Sequence, residues 1–461
     1  MGYTSIYQGT TPPPNPTVDS LWLSTSMADM RISSDARDRP AILSPAIATQ
    51  QGVTFGGSDA NYQEPNCYYE PVSGNYVMIF TSSNAGTPAV YCAYSKNPIS
   101  QPWTPGGLVV AASEHTGVYI ENGIGYLTAT PNAGSSIVLY TFSFAAGTGI
   151  PTGLSGATTL LTLAANLAGV SGPFGNSQIF KRAVGDYVLL FEASWGGNNF
   201  QCGTAVATSA AGPYTVLTMP IETAPYFNPY PVPAAYPVGY GGNMFIVQEG
   251  SKYINFSMWV NTVDTYTSTM WRGVTTDYTL SNWTWDQVPL IRRGYTPYDT
   301  DQVADPCVCF GPSGAAFLFW DGVNNVTGGS PSAPGVIFCS AFQPVLKQWD
   351  GTGWQVIAGA PDYAVPEFYN YTAVVVASQP LNNLDDRPGN AAAGTFTMTL
   401  PRATVGARVR VSNVSTSGTN AITIAVNGVG SDTIPLTGGT SLAVGAVRTF
   451  RCYKFGIWNW S

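Results

Sequence analysis

Gly175-Asn-Ser-Gln-Ile-Phe-Lys181, Gly185-Asp-Tyr-Val-Leu-Leu-Phe-Glu192 and Cys202-Gly-Thr-Ala-Val-Ala-Thr-Ser209 are three short apolar runs set off by turn residues. Runs of this length, rich in β-branched and aromatic residues and bounded by Gly, Asn and Ser, read as strands joined by tight turns. The same order recurs on either side. Upstream are Gln63-Glu-Pro-Asn-Cys-Tyr-Tyr69 with Gly74-Asn-Tyr-Val-Met-Ile-Phe80 and Val90-Tyr-Cys-Ala-Tyr-Ser95, then Gly117-Val-Tyr-Ile-Glu-Asn-Gly123 with Gly125-Tyr-Leu-Thr-Ala-Thr130 and Ile137-Val-Leu-Tyr-Thr-Phe142. Downstream are Gly250-Ser-Lys-Tyr-Ile-Asn-Phe-Ser-Met-Trp259, and Val303-Ala-Asp-Pro-Cys-Val-Cys-Phe310 with Gly314-Ala-Ala-Phe-Leu-Phe-Trp-Asp-Gly322 and Val336-Ile-Phe-Cys-Ser-Ala-Phe342. Second-strand aromatics (Tyr76, Tyr126, Tyr187, Tyr253, Phe317) return at intervals of roughly 50 to 65 residues. One such unit cannot cover both faces of its sheet, whereas radial packing does so and protects the edges. The expectation is an all-β chain: a five-bladed β-propeller over 20–372, followed by a small β-sandwich-like domain.

The remaining segments set the boundaries. Thr11-Pro-Pro-Pro-Asn-Pro16 marks residues 1–19 as an extended Pro-rich arm, either a passive linker or a tether. Leu21-Trp-Leu-Ser-Thr-Ser26 reads as a strand that either completes the last blade or packs outside the ring. Gln379-Pro-Leu-Asn-Asn-Leu-Asp-Asp-Arg-Pro-Gly-Asn390 reads as a linker over 373–390. Beyond it, period-two alternation in Phe396-Thr-Met-Thr-Leu400, Ala407-Arg-Val-Arg-Val411 and Ala421-Ile-Thr-Ile-Ala-Val426 gives half-buried strands, so 391–461 is a small β domain. A segment this size is marginal alone, which favours oligomer contacts, a trimer foremost, or attachment to an assembly.

Composition removes several functions. Charged residues make up 10% of the 461, against 50 Gly and 35 Pro, which does not suit wet helical faces. The net charge is −8 with no basic run longer than Arg292-Arg293, so nucleic acid is not an expected partner. No apolar run reaches the length of a bilayer span. The opening Met1-Gly-Tyr-Thr-Ser-Ile6 lacks a secretory signal, so the expectation is synthesis in a cytoplasm. Seven cysteines lack disulfide or zinc spacing and read as structural thiols. The single histidine, His115, excludes a site of several imidazoles and reads as a solvated loop residue. No metal and no cofactor are expected.

The strand heads Gln63-Glu-Pro65, Gly175-Asn-Ser-Gln-Ile179 and Val303-Ala-Asp-Pro306, the Gly-x-Tyr second strands, and Ala207-Thr-Ser-Ala-Ala-Gly-Pro-Tyr214 resemble the five-bladed propellers of glycoside hydrolase families 43 and 32. The C-terminal part, with Met398-Thr-Leu-Pro-Arg-Ala-Thr-Val-Gly406, Asp432-Thr-Ile434 and a Trp-containing end, resembles the terminal β domains of bacteriophage tail fibres and tailspikes. Together these resemblances imply a virion appendage, located on the phage particle, that recognises host surface carbohydrate and joins other virion proteins. Alternatives are an active glycoside hydrolase and a purely structural capsid or tail connector.

The family's chemistry, as the resemblance implies it, needs carboxylates across the scissile bond. By position in the repeat the candidates are Glu64 on the first unit and Asp305 on the fifth, with Glu121 on the second as modulator. The acid implied for the third unit is replaced by Asn176, which supplies no proton at neutral pH. Both Glu64 and Asp305 also precede Pro and could simply bind local turn amides; the balance leans against catalysis. Glu192 and Glu222 read as exposed acids. For carbohydrate binding the candidates are Asn176, Trp195 in Ser194-Trp-Gly-Gly-Asn-Asn199, and Tyr226, Tyr230, Tyr236 and Tyr240 from the Tyr/Pro-rich stretch between units three and four, which alternatively packs as a crossover.

Overall fold

The structure is a computed structural model. It describes residues 62–163, 170–195, 199–218, 240–260, 268–286 and 302–323 apart from single positions, with shorter stretches between 6 and 55 and from 290 to 460. Contacts divide the chain into two units, Thr25–Pro344, and Met1–Ser24 with Val345–Ser461.

The first unit is the five-bladed β-propeller. Blade 1 runs outward through Gln63–Glu70, Asn75–Asn84, Thr87–Ser95 and Thr104–Val110. Blade 2 is Ser113–Glu121, Ile124–Pro131 and Ser136–Phe144, with Pro151–Thr152 and Thr158–Thr162 sharing its outer edge. Blade 3 is Val170–Lys181, Tyr187–Trp195, Asn199–Ala207 and Thr215–Thr218, and blade 4 is Tyr240–Glu249, Lys252–Val260, Ser268–Thr275 and Thr284–Trp285. Blade 5 takes Gln302–Phe310, Ala316–Val323 and Val336–Gln343 from its own repeat. Its outer edge comes from the other end of the unit: Arg31–Ile32 pairs with Phe342 and Gln343, and Ile42–Leu43 with Val336 and Ile337. This antiparallel patch closes the ring. The innermost strands touch in cyclic order, blade 5 meeting blade 1.

Alternation buries both faces of each blade against its neighbours. Tyr76, Met78 and Phe80 of blade 1 join Cys309, Phe317 and Phe319 of blade 5, while Val77 and Ile79 on the opposite face join Leu127 and Phe142 of blade 2. Leu189 and Phe191 pack toward blade 2, and Val188 and Leu190 toward Ile246 and Tyr253 of blade 4. Each large side chain buried this way stabilises the fold by roughly 1.5–3 kcal/mol before entropy is counted. Cys67, Cys92, Cys202, Cys307, Cys309 and Cys339 are buried free thiols. No helix of the described residues is long and apolar enough to cross a membrane.

In the second unit, Ile6–Gly9, Leu21–Ser24, Val345–Trp349 and Trp354–Ala358 form one sheet, so Leu21–Ser24 belongs to no blade. A β-sandwich-like pair of sheets follows. Asn370–Tyr371, Asp385–Gly389, Arg408–Asn413, Val447–Lys454 and Ile457–Trp460 form one, and Gln379–Pro380, Phe396–Thr399, Ile422–Ala425 and Ser441–Leu442 the other. Phe396, Met398, Val409, Val411, Ile422, Ile424 and Phe450 fill the core between them. The segment expected as a linker, 373–390, thus contributes two strands. Asp385-Asp-Arg-Pro-Gly389 has turn composition and becomes a strand through parallel pairing with Asn370–Tyr371 on one side and Arg410–Asn413 on the other. Likewise Ile6–Gly9, inside the expected arm, pairs with Leu21–Ser24.

Candidate functional site at the ring axis

The five innermost strands share one irregularity. In each, two residues stand opposite one on the second strand: Glu64-Pro65, His115-Thr116, Gly175-Asn176, Asn243-Met244 and Asp305-Pro306. Such bulges bend a strand and re-aim a side chain. The leading residue adopts left-handed backbone in four blades, with φ of 59° at Glu64, 54° at His115, 47° at Asn243 and 51° at Asp305. Left-handed non-glycine residues cost about 1–3 kcal/mol each and persist where surroundings over-determine them. All five bulges lie at the same end of the ring. Glu64, Asn66, Thr116, Asn176, Asn243 and Asp305 line a shallow, open depression there.

Glu64 sits under this mouth, 5% exposed. One carboxylate oxygen accepts from Thr81 Oγ1 at 2.6 Å and from the His115 backbone N–H at 2.7 Å. The other faces His115 Nδ1 at 2.6 Å. Burial alone would raise Glu64, but the His115 charge and these hydrogen bonds hold it below the usual carboxylate range. Burial works the other way on His115, and Glu64 overcomes it, lifting the imidazole to about 9. The two form an ion pair at neutral pH.

Asp305, half-buried, accepts from Asn176 Nδ2 at 2.5 Å and is hydrogen-bonded to Asp321, which comes from the second strand of blade 5 and is 1% exposed. Burial, then the neighbouring charges of Asp321 and Glu64, push Asp305 well above a normal aspartate. Burial raises Asp321 to about 6 although Asp305 and the Glu64 N–H both donate to it. The Glu64 N–H lies 3.2 Å from Asp321 Oδ2. The pair holds one shared proton at neutral pH.

Glu192 completes the cluster from the second strand of blade 3, where it stands opposite the bulge. A Cβ added to Gly175 would fall 2.2 Å from its Oε2, and one added to Gly242 would fall 2.4 Å from its Oε1. The carboxyl therefore occupies the space that the missing blade 3 side chain leaves, hydrogen-bonded by the Asn243 and Asn176 backbone amides. Burial lifts it to about 7, with His115 and those amides only partly opposing.

The structure thus brings Glu64, Asp305 and Asn176 together and adds His115, Glu192 and Asp321. Glu121 is not there. It ends its strand at the far side of the blade, paired with Lys181 at 2.7 Å and Tyr187 Oη at 2.6 Å, because the bulge sits at the strand's other end. His115 is a strand residue 25% exposed and ion-paired, not a solvated loop residue. Glu192 is 5% exposed, correcting its reading as an exposed acid. Trp195 ends a blade 3 strand and Tyr240 opens a blade 4 strand; Glu222, Tyr226, Tyr230 and Tyr236 lie outside the described residues. Among the described residues no cluster of His, Cys, Asp and Glu has metal-holding geometry.

No family model matches the chain, and no curated protein does. Solved structures resemble it in fold. The catalytic domain of a Coprinopsis cinerea GH62 α-L-arabinofuranosidase is 10% identical, covers 68% of this chain and 98% of its own, and gives a TM-score of 0.49. A thermostable family-43 glycoside hydrolase is 13% identical over 64% of this chain and 93% of its own, with a TM-score of 0.42. An endo-arabinase from Bacteroides thetaiotaomicron is 15% identical over 62% and 97%, with a TM-score of 0.42.

Proposed function

We propose that the propeller is the carbohydrate-recognising part of a phage virion appendage of the tail fibre or tailspike kind, binding host surface glycan at the ring axis without cleaving it. One observation carries the non-hydrolytic reading: the Glu64 carboxylate is already committed to its neighbours. Thr81 and the His115 amide fill one oxygen and the His115 imidazole is ion-paired with the other, which holds the carboxylate below its usual range and makes it a weak proton acceptor toward water. Glu192 lies behind Gly175 and Gly242 and does not line the depression. What the mouth presents instead is a ring of short polar groups, Asn66, Thr116, Asn176, Asn243 and Asp305, of the kind that orients sugar hydroxyls. Tyr226, Tyr230, Tyr236 and Tyr240, with Trp195, are the proposed stacking partners. The sandwich-like unit is proposed to supply trimer contacts or attachment to other virion proteins, and the particle surface is the proposed location.

A second reading has an observation of its own. An ionised Glu64 near a Glu192 held at about 7 is the separation of acid strengths that glycoside hydrolysis uses. Incubation with a panel of bacterial surface polysaccharides, scoring both binding and new reducing ends, separates the two. Binding alone is expected. Reducing ends that disappear in Glu64→Gln would establish the hydrolase, and neither signal would leave a structural connector.

A further inference from the structure

The mouth has more hydrogen-bond acceptors than donors. Five acids gather around it (Glu64, Glu114, Glu192, Asp305 and Asp321), and His115 is the only basic side chain in contact with them among the described residues. Lys181 ends the innermost strand of blade 3 at the far side of the ring and Arg182 follows it, paired with Glu121 and Asp186 respectively. Separately from the charge, one acceptor in the lining stands idle: the Asn176 amide oxygen is shielded from solvent and receives no hydrogen bond. Behind it, Asp321 is enclosed and is served by the Asp305 carboxyl. Asn176 donates to Asp305 and Asp305 is hydrogen-bonded to Asp321, so the three form one chain that reaches the mouth at Asn176 and Asp305.

We propose that the axial mouth selects glycans carrying a free amine, such as a de-N-acetylated hexosamine, and rejects glycans carrying carboxylate or sulfate. This rests on the reading of the mouth as a glycan site and names its ligand class. An ammonium brings three N–H donors and one positive charge, matching the unpaired Asn176 oxygen and the surplus of acids together. It replaces the proton shared by Asp305 and Asp321: the ammonium enters, and that proton leaves to solvent. A uronate or sulfate would add a negative charge where like charges already raise one another.

Binding is therefore linked to pH. Glu64 from blade 1, Asn176 from blade 3, Asn243 from blade 4 and Asp305 from blade 5 line the mouth, and His115 and Glu114 from blade 2, Glu192 from blade 3 and Asp321 from blade 5 are the titratable groups packed around them. Asp321 and Glu192 ionise near 6 and 7, so amine affinity rises as pH climbs through that range and falls again as the sugar amine loses its own proton, at about 7.7–8.0 for an α-amino-like group; His115 keeps its charge until about 9.

The test is calorimetric titration of the full chain at 150 mM salt with short glucosamine oligomers, their fully N-acetylated counterparts and oligogalacturonate. At pH 7.5 the amine form is expected to bind about tenfold tighter than the N-acetylated form. The gap should close at pH 5 and in Asp305→Asn, and survive in Glu121→Gln, which alters an acid on the opposite side. Equal affinity for amine and N-acetyl forms, a preference for galacturonate, or a gap insensitive to Asp305→Asn overturns the amine proposal while leaving glycan recognition standing. No binding to any of the three, together with a blank polysaccharide panel, overturns both.

Discussion

At the scale of single residues, two groups carry the electrostatics of the mouth, and each makes a prediction with a sign. Glu192 is an acid whose folded value, about 7, lies above its value in an unfolded chain. The folded state therefore holds more protons between about pH 4.5 and 7, and stability falls as pH rises through that window. Removing the charge removes the slope: Glu192→Gln should be more stable than the parent at pH 8, on the order of 2 kcal/mol, and indistinguishable at pH 4.5. Urea midpoints across that range check it; parallel curves would mean that Glu192 is ionised at no cost. The Glu64–His115 pair behaves differently. His115 is raised to about 9, so its stabilisation is present at neutral pH and is lost as pH rises through 9; Glu64 is lowered, so its share is lost only on strong acidification. His115→Gln should cost roughly 2 kcal/mol at pH 7, less than a fully buried pair because the imidazole is partly exposed, and little at pH 10. Glu64 and Asp305 were legible in the sequence because each is an acid before Pro at a strand head. Glu192 was not, being one strand further out. Its signal was present: it lies in phase with Val188 and Leu190, both buried, so an acid continued an apolar face. Asp321, in phase with Phe317 and Phe319, carries the same mark.

At the scale of the strand, the repeated bulge explains how five unrelated heads, Glu, His, Gly, Asn and Asp, reach one mouth. Blade 3 uses glycine there because its space is filled from behind. Gly175→Ala should therefore displace the Glu192 carboxyl and destabilise the fold by about 1–3 kcal/mol, and Gly175→Ala in a Glu192→Ala background should cost much less. A thermal-denaturation double-mutant cycle reads this coupling; additivity would contradict it. Gly117 is a second such position. A Cβ there would stand 1.9 Å from the Ser177 carbonyl oxygen, a backbone atom of the next blade, so no side chain can yield. Gly117→Ala should be harsher than Gly175→Ala, and removal of Glu192 should not relieve it. Sequence period located the innermost strands of four blades and missed that of blade 4, Tyr240–Glu249, at the end of the Tyr/Pro-rich stretch; the bulges leave no compositional trace, since each is defined by what stands opposite.

At the scale of the whole molecule, the repeat in Gly175–Ser209 and its copies was enough to give the class and the blade number, and the period-two runs beyond 391 the small sandwich-like partner. Ring closure was hidden. Arg31–Ile32 and Ile42–Leu43 are two-residue strands with no alternation to read, and Leu21–Ser24, the better-looking candidate, pairs elsewhere. The stretch ahead of Arg31 also anchors blade 4: Arg272 donates to the Met27 and Met30 carbonyls, and Glu249 accepts from Ser26 and Met27. A chain covering 25–344 should unfold in one cooperative transition, whereas one beginning at 44 should lose cooperativity or many degrees of Tm. The central claim is that the axial mouth holds glycan and does not cut it. The most direct measurement takes the tightest-binding surface polysaccharide and follows, in one sample, both occupancy and reducing ends for the parent, Asp305→Asn and Glu64→Gln. The account predicts saturable binding that Asp305→Asn weakens at least several-fold, with reducing ends flat throughout. Reducing ends that grow with the parent and stop with Glu64→Gln would contradict it.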